Sequence, residues 1–243
     1  MENRKIRMNH QVLDKGYVRL VNSWGSELDI VNSARVSYDK ESKLRDDGSL
    51  TLNDQKLLNF LIEHKHDSTL RHAGFTFEVY APLMIARQWY KHAVSSTHLE
   101  DQLGWNESSR RYVTENEEFY IPGANEWRSA PANSKQGSGA PILDGKGQYF
   151  TMSLNNYIAE GEELYKRAML EGVAPEQARL FLPAYGMYVR WRWTTSLNAV
   201  LHFLSLRMGE GAQSEIADYA EVVNLLVKEK FPSTVNAWEK FRL

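Results

Sequence analysis

A helix-rich α+β fold with a small mixed or antiparallel sheet is what this sequence predicts, on three observations. Two segments, GFTFEVYA at 74–81 and MYVRWRWTT at 187–195, alternate side chains as half-buried strands do. Several longer segments carry apolar residues at helical spacing. Strands and helices do not alternate along the chain as a doubly wound parallel sheet requires. With 243 residues, 42% of them apolar, the chain can bury a large core. No linker divides it, so 1–243 reads as one domain.

The elements follow in order. A strand is expected around Tyr17 to Val21, then a helix through Leu28, Ile30, Val31 and Ala34, then a polar loop over 39–48. Thr51 or Asn53 can cap a helix whose apolar positions are Leu57, Leu58, Leu61 and Ile62. In the strand 74–81, Phe75, Phe77 and Val79 share one face. Pro82 suits the first turn of a helix that continues through PLMIARQWYKHAV, placing Arg87, Gln88, Lys91 and His92 on one side. Residues 94–105 read as a loop, EFYIP as a short strand closed by Pro122, and 123–147 as a long connection rich in Gly, Pro, Ser and Asn. A long helix covers about 149–170, and Pro175 opens a short one. The strand MYVRWRWTT sets Arg190 and Arg192 against Trp191 and Trp193, and Thr195 is placed to cap the helix SLNAVLHFLSLRM. Two more helices, 213–229 and 233–241, complete the chain.

Composition narrows the function classes. Lys plus Arg number 29 and Asp plus Glu 31, so the net charge of -2 exerts no general pull on nucleic acid or acidic membranes. No apolar window reaches the length of a membrane span, and the N-terminus has no apolar targeting core, so a cytoplasmic protein is expected. The absence of cysteine removes disulfides, thiolate metal sites and thiolate nucleophiles together. His64, His66 and His72 lack metal-ligand spacing and an accompanying acid pattern, so no metal is expected. Glycine-rich phosphate cradles are missing too, and any phosphate must be held by side chains.

The polar segment NESSRRY at 106–112 is the main candidate for that task. Guanidiniums grip phosphate in two-pronged fashion, hydroxyls complete the remaining oxygens, and an acid between them can orient a donor. A solvated turn with an ordinary ion pair is the plainer reading of the same residues. Arg207 lies three, four and seven residues after Leu204, Phe203 and Val200, so it falls beside the apolar stripe of its helix. A charge there needs a partner, or it snorkels at the last turn and favours the helix dipole. Arg179, among Leu180, Phe181 and Leu182, is either an amphipathic surface residue or an inward-facing anion ligand. Asn198 and His202, one turn apart, can hydrogen-bond a heterocycle.

Read as a set, RQWYKH at 87–92, NESSRRY at 106–112, ARLFLP at 178–183 and LNAVLHFLSLR at 197–207 resemble the flavin-dependent thymidylate synthases. IVNSARVSY at 30–38 and HDSTLRH at 66–72 resemble that family's opening blocks. The resemblance implies the α+β fold of that family and a homotetramer whose sites are shared between subunits. It implies FAD, reduced by NADPH, and 5,10-methylenetetrahydrofolate as the carbon donor that converts dUMP to dTMP. Carried onto this sequence, it assigns dUMP to Gln88 and Lys91 of one chain, to Glu107, Ser108, Ser109, Arg110 and Arg111 of a neighbour, and to Arg179. Arg207 is assigned to the uracil, and Ser68, Lys91, His92, Glu107, Ser196, Asn198 and His202 to the flavin. No nucleic acid, membrane or metal partner is implied. In this family's chemistry a flavin and a polarising arginine replace a thiolate. The family's Arg-His-Arg triplet is Lys91-His92-Ala93 here, and Gly211 stands where a histidine is frequent. Other readings are a flavin- and folate-dependent hydroxymethylase acting on the same nucleotide, a single-strand nucleic-acid platform built on RWRW and SSRRY, and an oligomer without activity.

Overall fold

A computed structural model describes residues 9–90, 92, 104–108, 117–131, 137–143, 145–209 and 211–242. Its chain order is β1 (His10–Val12), β2 (Gly16–Trp24), α1 (Glu27–Arg35), α2 (Leu52–Glu63), β3 (Gly74–Pro82), α3 (Leu83–Trp89), β4 (Gly104–Glu107), α4 (Lys146–Leu170), α5 (Pro175–Ala178), β5 (Tyr188–Ser196), α6 (Leu197–Arg207), α7 (Ser214–Lys230) and α8 (Pro232–Arg242). The five strands form one antiparallel sheet in the order β1-β2-β3-β5-β4. No helix among the described residues is long and apolar enough to cross a membrane.

The alternation of β3 and β5 divides the sheet into two faces. Phe77 lies opposite Trp193 and Val79 opposite Trp191, all buried, whereas Glu78 lies opposite Arg192 on the other face. There Glu78 pairs with Arg19 at 2.5 Å and with Arg192 at 3.5 Å. Helices cover the apolar face. Trp89 of α3 stacks on Phe203 of α6 at 4.4 Å and meets Trp191 and Trp193 edge-on, both at 5.6 Å. Buried aromatic rings of this size each remove about 150–250 Å² from water, so each stabilises the fold by roughly 4–6 kcal/mol before entropy is subtracted. Tyr219 of α7 reaches across and donates its hydroxyl to the main-chain oxygen of Tyr80 at 2.9 Å. Gly16 makes room for that ring, since a Cβ there would come within 1.8 Å of the Tyr219 hydroxyl.

The structure corrects several expected boundaries. Pro82 remains extended, pairs with Tyr188 as the last residue of β3 and precedes α3, which ends at Trp89. The helix is held at its start by the Leu83 N–H, which donates to Met187 O rather than to its own turn. Residues 104–107, partly expected in a loop, add an edge strand to β5, with Trp105 stacked on Trp191 at 4.9 Å. Ser196, not Thr195, caps α6: β5 runs through Thr195, and the Ser196 Oγ accepts the Ala199 N–H at 3.2 Å. The expected strand at EFYIP is a single bridge between Phe119 and Met187. The connection 123–147 folds back on itself, bridging Arg128 to Pro141.

Candidate active site

The corner where α3 meets the end of α6 is built around Arg207. Its stem follows Phe203 and Leu204 out of the core, so its head arrives at the last turn, where the helix dipole favours a cation. Arg207 Nε donates to His92 Nε2, and Nη2 donates to the main-chain oxygen of Gln88, both at 3.3 Å. Both acceptors are neutral. Among the described residues no carboxylate pairs with Arg207, and burial alone draws its pKa below the ordinary value. Among the described residues Nη1 and one Nη2 N–H have no hydrogen-bond partner.

His92 is nearly enclosed, with its ring edge-on to Phe203 at 5.1 Å and 6.0 Å from His202. Burial, then the charges of Arg207 and His202, lower its pKa from 6.5 to about 4. The ring is therefore neutral at physiological pH. Because Nε2 accepts from Arg207, the proton sits on Nδ1.

The opposite end of α6 presents a second polar group. Asn198 is only 4% exposed, yet its amide has no hydrogen bond among the described residues. The neighbouring Thr195 Oγ1 is likewise buried without a partner among them. A buried hydroxyl left in that state costs about 1–3 kcal/mol. The short turn Thr69–His72 adjoins this end, because Leu197 N–H donates to Ala73 O at 2.8 Å.

Ser68, immediately before that turn, lines a cavity of about 620 Å³ together with Arg35, Ser37, Tyr38 and His66. Arg35 is fixed there by Asp54, whose carboxylate also accepts from Ser42 and Thr51. Burial pushes the Asp54 carboxyl up, but the hydrogen bonds from Thr51, Ser42 and Arg35 outweigh it and leave the pKa below the usual value.

Glu107 closes β4 at the sheet edge, beside the Arg87 flank of α3. Desolvation raises its pKa, and the Trp105 hydrogen bond and the Arg87 charge offset only part of that. Ser108 is tied through its main-chain N–H to Arg190 O at 2.8 Å, which leaves its hydroxyl uncommitted. Arg179 stands on the exposed turn Arg179–Phe181, where its Nε donates to Pro175 O at 3.1 Å. Among the described residues no hydrogen bond joins it to the Arg207 group. Lys91, Ser109, Arg110 and Arg111 lie outside the described residues. Within one chain, then, Gln88, His92 and Arg207 come together with His202 alongside, and Ser196, Asn198 and the Ser68 turn gather at the far end of α6.

Residues 19–233 match the family described as thymidylate synthase complementing protein. The chain belongs to this family. A flavin-dependent thymidylate synthase of Thermosipho africanus is 35% identical over 235 residues, covering 96% of this chain and 95% of that protein. An enzyme of the same name from Thermus thermophilus is 36% identical, covering 96% and 78%. Among solved structures, the UMP/dUMP methylase PolB of Streptomyces cacaoi, bound with 5-Br dUMP, superposes with a TM-score of 0.78 at 29% identity. That match covers 96% of this chain and 98% of PolB.

Family membership gives the two opening sequence blocks a place. IVNSARVSY supplies Ser37 and Tyr38, and HDSTLRH supplies His66 and Ser68, to the walls of one cavity. Sequence reasoning singled out Ser68 and assigned no role to Arg35, Ser37 and His66, which line the same cavity. Their signal was the pairing of two polar blocks about thirty residues apart, which no local pattern joins. His64 stacks on Phe60 with ring centroids 4.1 Å apart, and the His66 ring lies tilted to the same phenyl at 5.6 Å.

Proposed function

We propose that this chain is a flavin-dependent thymidylate synthase that methylates dUMP to dTMP, with 5,10-methylenetetrahydrofolate as carbon donor and NADPH as reductant of FAD. The observation that carries the proposal is Arg207, a desolvated cation held only by neutral acceptors and lacking a carboxylate among the described residues. Such a charge awaits an anion. A uracil ring that has lost its N3 proton shares the negative charge with O2 and O4 and is an anion of suitable shape for two parallel N–H groups. The protein binds dUMP through Gln88 and Lys91 of one subunit, Glu107 to Arg111 of another, and Arg179.

The residues assigned to a flavin suit one. Asn198 offers an amide without a partner among the described residues, and Ser68 opens on a cavity large enough for part of a dinucleotide. Ser196, Lys91, His92, Glu107 and His202 complete that set. When bound, the flavin would supply the redox chemistry, in a chain that has no cysteine thiolate to activate the uracil by attack. The protein's own part is to bind, orient and polarise. Arg207 favours the anionic uracil, and neutral His92 holds the guanidinium without competing for the charge. Glu107, whose pKa burial raises above the ordinary carboxylate value, stands at the sheet edge as an acid that can accept a donor.

Among the described residues no hydrogen bond joins Arg179 to the Arg207 group, which fits a nucleotide site that draws on more than one subunit of a cytoplasmic homotetramer with one domain per chain. No metal or nucleic acid takes part in this reading. A single-strand platform is disfavoured by the burial of Trp191 and Trp193, which leaves no face of either indole for a base. Transfer of a hydroxymethyl group is disfavoured because the named relatives are thymidylate synthases and a methylase.

The protein as purified should show a flavin absorbance spectrum and release tritium from C5-labelled dUMP when NADPH and the folate are added. Mass spectrometry should find dTMP. A colourless protein that stays inert with added FAD would reject the assignment, and a hydroxymethylated product would reassign the carbon unit.

A further inference from the structure

Gln88 has a neighbour on α7 with no role so far. Its Nε2 donates to Gln213 Oε1 at 2.7 Å and to the main-chain oxygen of Met84 at 3.3 Å. Met84 O can only accept, so the side-chain atom facing it must be the nitrogen, and this fixes which way the Gln88 amide points. Both of its N–H groups are thereby spent on protein. Gln213 occupies the N-cap position of α7 but does not cap that helix with its side chain, which turns to Gln88 instead. Its backbone is secured by the Ala217 N–H, which donates to Gln213 O at 3.0 Å. The first turn of α7 is further anchored by the ion pair between Glu215 and Arg128 of the 123–147 connection. The same Gln88 residue holds Arg207 through its main-chain oxygen, so one short chain of contacts runs from α7 to the proposed uracil ligand.

We propose that Gln213 is a positioning residue for nucleotide recognition: it holds the Gln88 amide so that only Oε1 faces the ligand, and Gln88 therefore reads a hydrogen-bond donor of the nucleotide rather than a phosphate oxygen. The proposal rests on the assignment of dUMP to this site. A carbonyl oxygen repels phosphate and accepts from a hydroxyl. The sugar of dUMP carries one hydroxyl, at the 3′ position, and that group is the partner of Gln88. Gln213 does not touch the nucleotide and acts through Gln88 alone.

The test is calorimetric titration of the flavin-loaded protein with dUMP and with 2′,3′-dideoxyuridine 5′-monophosphate. The unaltered protein should bind the dideoxy compound about three- to tenfold more weakly, as expected for one lost hydrogen bond. Gln213→Leu should lose about the same factor for dUMP and very little for the dideoxy compound, so that the preference collapses. Gln213→Glu keeps an acceptor for the Gln88 Nε2 and should restore most of the preference, which loss of general stability would not do. Gln213→Ala serves in the same comparison if the leucine variant misfolds. An unchanged preference in Gln213→Leu or Gln213→Ala, or a glutamate variant as poor as leucine, would overturn the inference. Failure of the unaltered protein to bind dUMP would instead overturn the functional reading beneath it.

Discussion

Acidification should unsettle this fold through one ring. His92 has an ordinary pKa of 6.5 in the unfolded chain and about 4 in the folded one. As the pH falls between those values, the unfolded state takes up a proton that the folded state refuses, so stability is lost as the pH drops through this window. Integrating the difference from about pH 8 down to about pH 5 gives about 2 kcal/mol if the whole shift is realised, and about 1–2 kcal/mol once water near the ring is allowed for. Below about pH 4 both states carry the proton and the penalty is complete. The cause is local: the protonated ring cannot accept from Arg207, and two cations would share a desolvated corner.

His92→Gln isolates the effect, since a glutamine carbonyl can still accept from Arg207 and does not titrate. Urea unfolding of the parent and variant, at one flavin concentration and at about pH 8, 7, 6 and 5, should show the parent losing about 1–2 kcal/mol more than the variant. For a chain of this length that corresponds to a difference of roughly 2–8 °C in midpoint temperature. Parallel pH profiles, within about 0.5 kcal/mol throughout, would mean that His92 is not held neutral by burial, and the proposed role of its Nε2 would fall with it.

Three further substitutions separate function from stability. Arg207→Leu removes a cation with only neutral partners, so unfolding should change by less than about 1 kcal/mol while tritium release from dUMP falls at least about 100-fold; a strongly destabilised variant would show that the charge serves the fold. Asn198→Leu removes an amide that bonds to no described protein group, so stability should hold or rise by up to about 1–2 kcal/mol. The same variant should retain less flavin through gel filtration, read as the ratio of flavin to protein absorbance, and full retention would detach Asn198 from the cofactor. Asp54→Ala strips the acceptor from Arg35, Ser42 and Thr51 at once and should cost about 3–5 kcal/mol in urea unfolding; a loss below about 1 kcal/mol would show that water replaces the carboxylate and that Arg35 needs no anchor.

The sheet and the helices were legible where burial imposes a period. Phe75, Phe77 and Val79 on β3, and Trp191 and Trp193 on β5, alternate because one face meets α3, α6 and α7 and the other meets water. What escaped was decided by long-range pairing. Gly104–Glu107 carries no strand pattern of its own and extends only because β5 offers a free edge and Trp191 a ring for Trp105 to stack on. Pro82 suits a helix start by local preference, yet pairing with Tyr188 keeps it in the strand. Thr195 and Ser196 are equally good caps in isolation, and the register of β5 chooses Ser196. At the site, Gln88, Asn198 and Arg207 could be named from spacing and family resemblance. Gln213 could not, because its partner lies 125 residues away and a glutamine at a helix start suggests nothing more than a polar turn.

Charge pairing sets the candidate site apart from the rest of the chain. Arg19 with Glu78, Arg35 with Asp54, Arg128 with Glu215 and Arg242 with Asp67 each join a guanidinium to a carboxylate. Arg207 is desolvated and has, among the described residues, only an imidazole nitrogen and a peptide oxygen, although a carboxylate at either place would stabilise the free protein more. The indole nitrogens of Trp89, Trp191 and Trp238, buried without partners among the described residues, are neutral and sit in the aromatic core. A carboxylate beside Arg207 would neutralise the field that a uracil anion is to feel, so a neutral setting is what electrostatic preorganisation demands of this residue. On the proposed assignment the stability forgone at Arg207 is recovered when ligands arrive, and the protein should accordingly unfold at a higher temperature in the presence of flavin and dUMP together than with either alone.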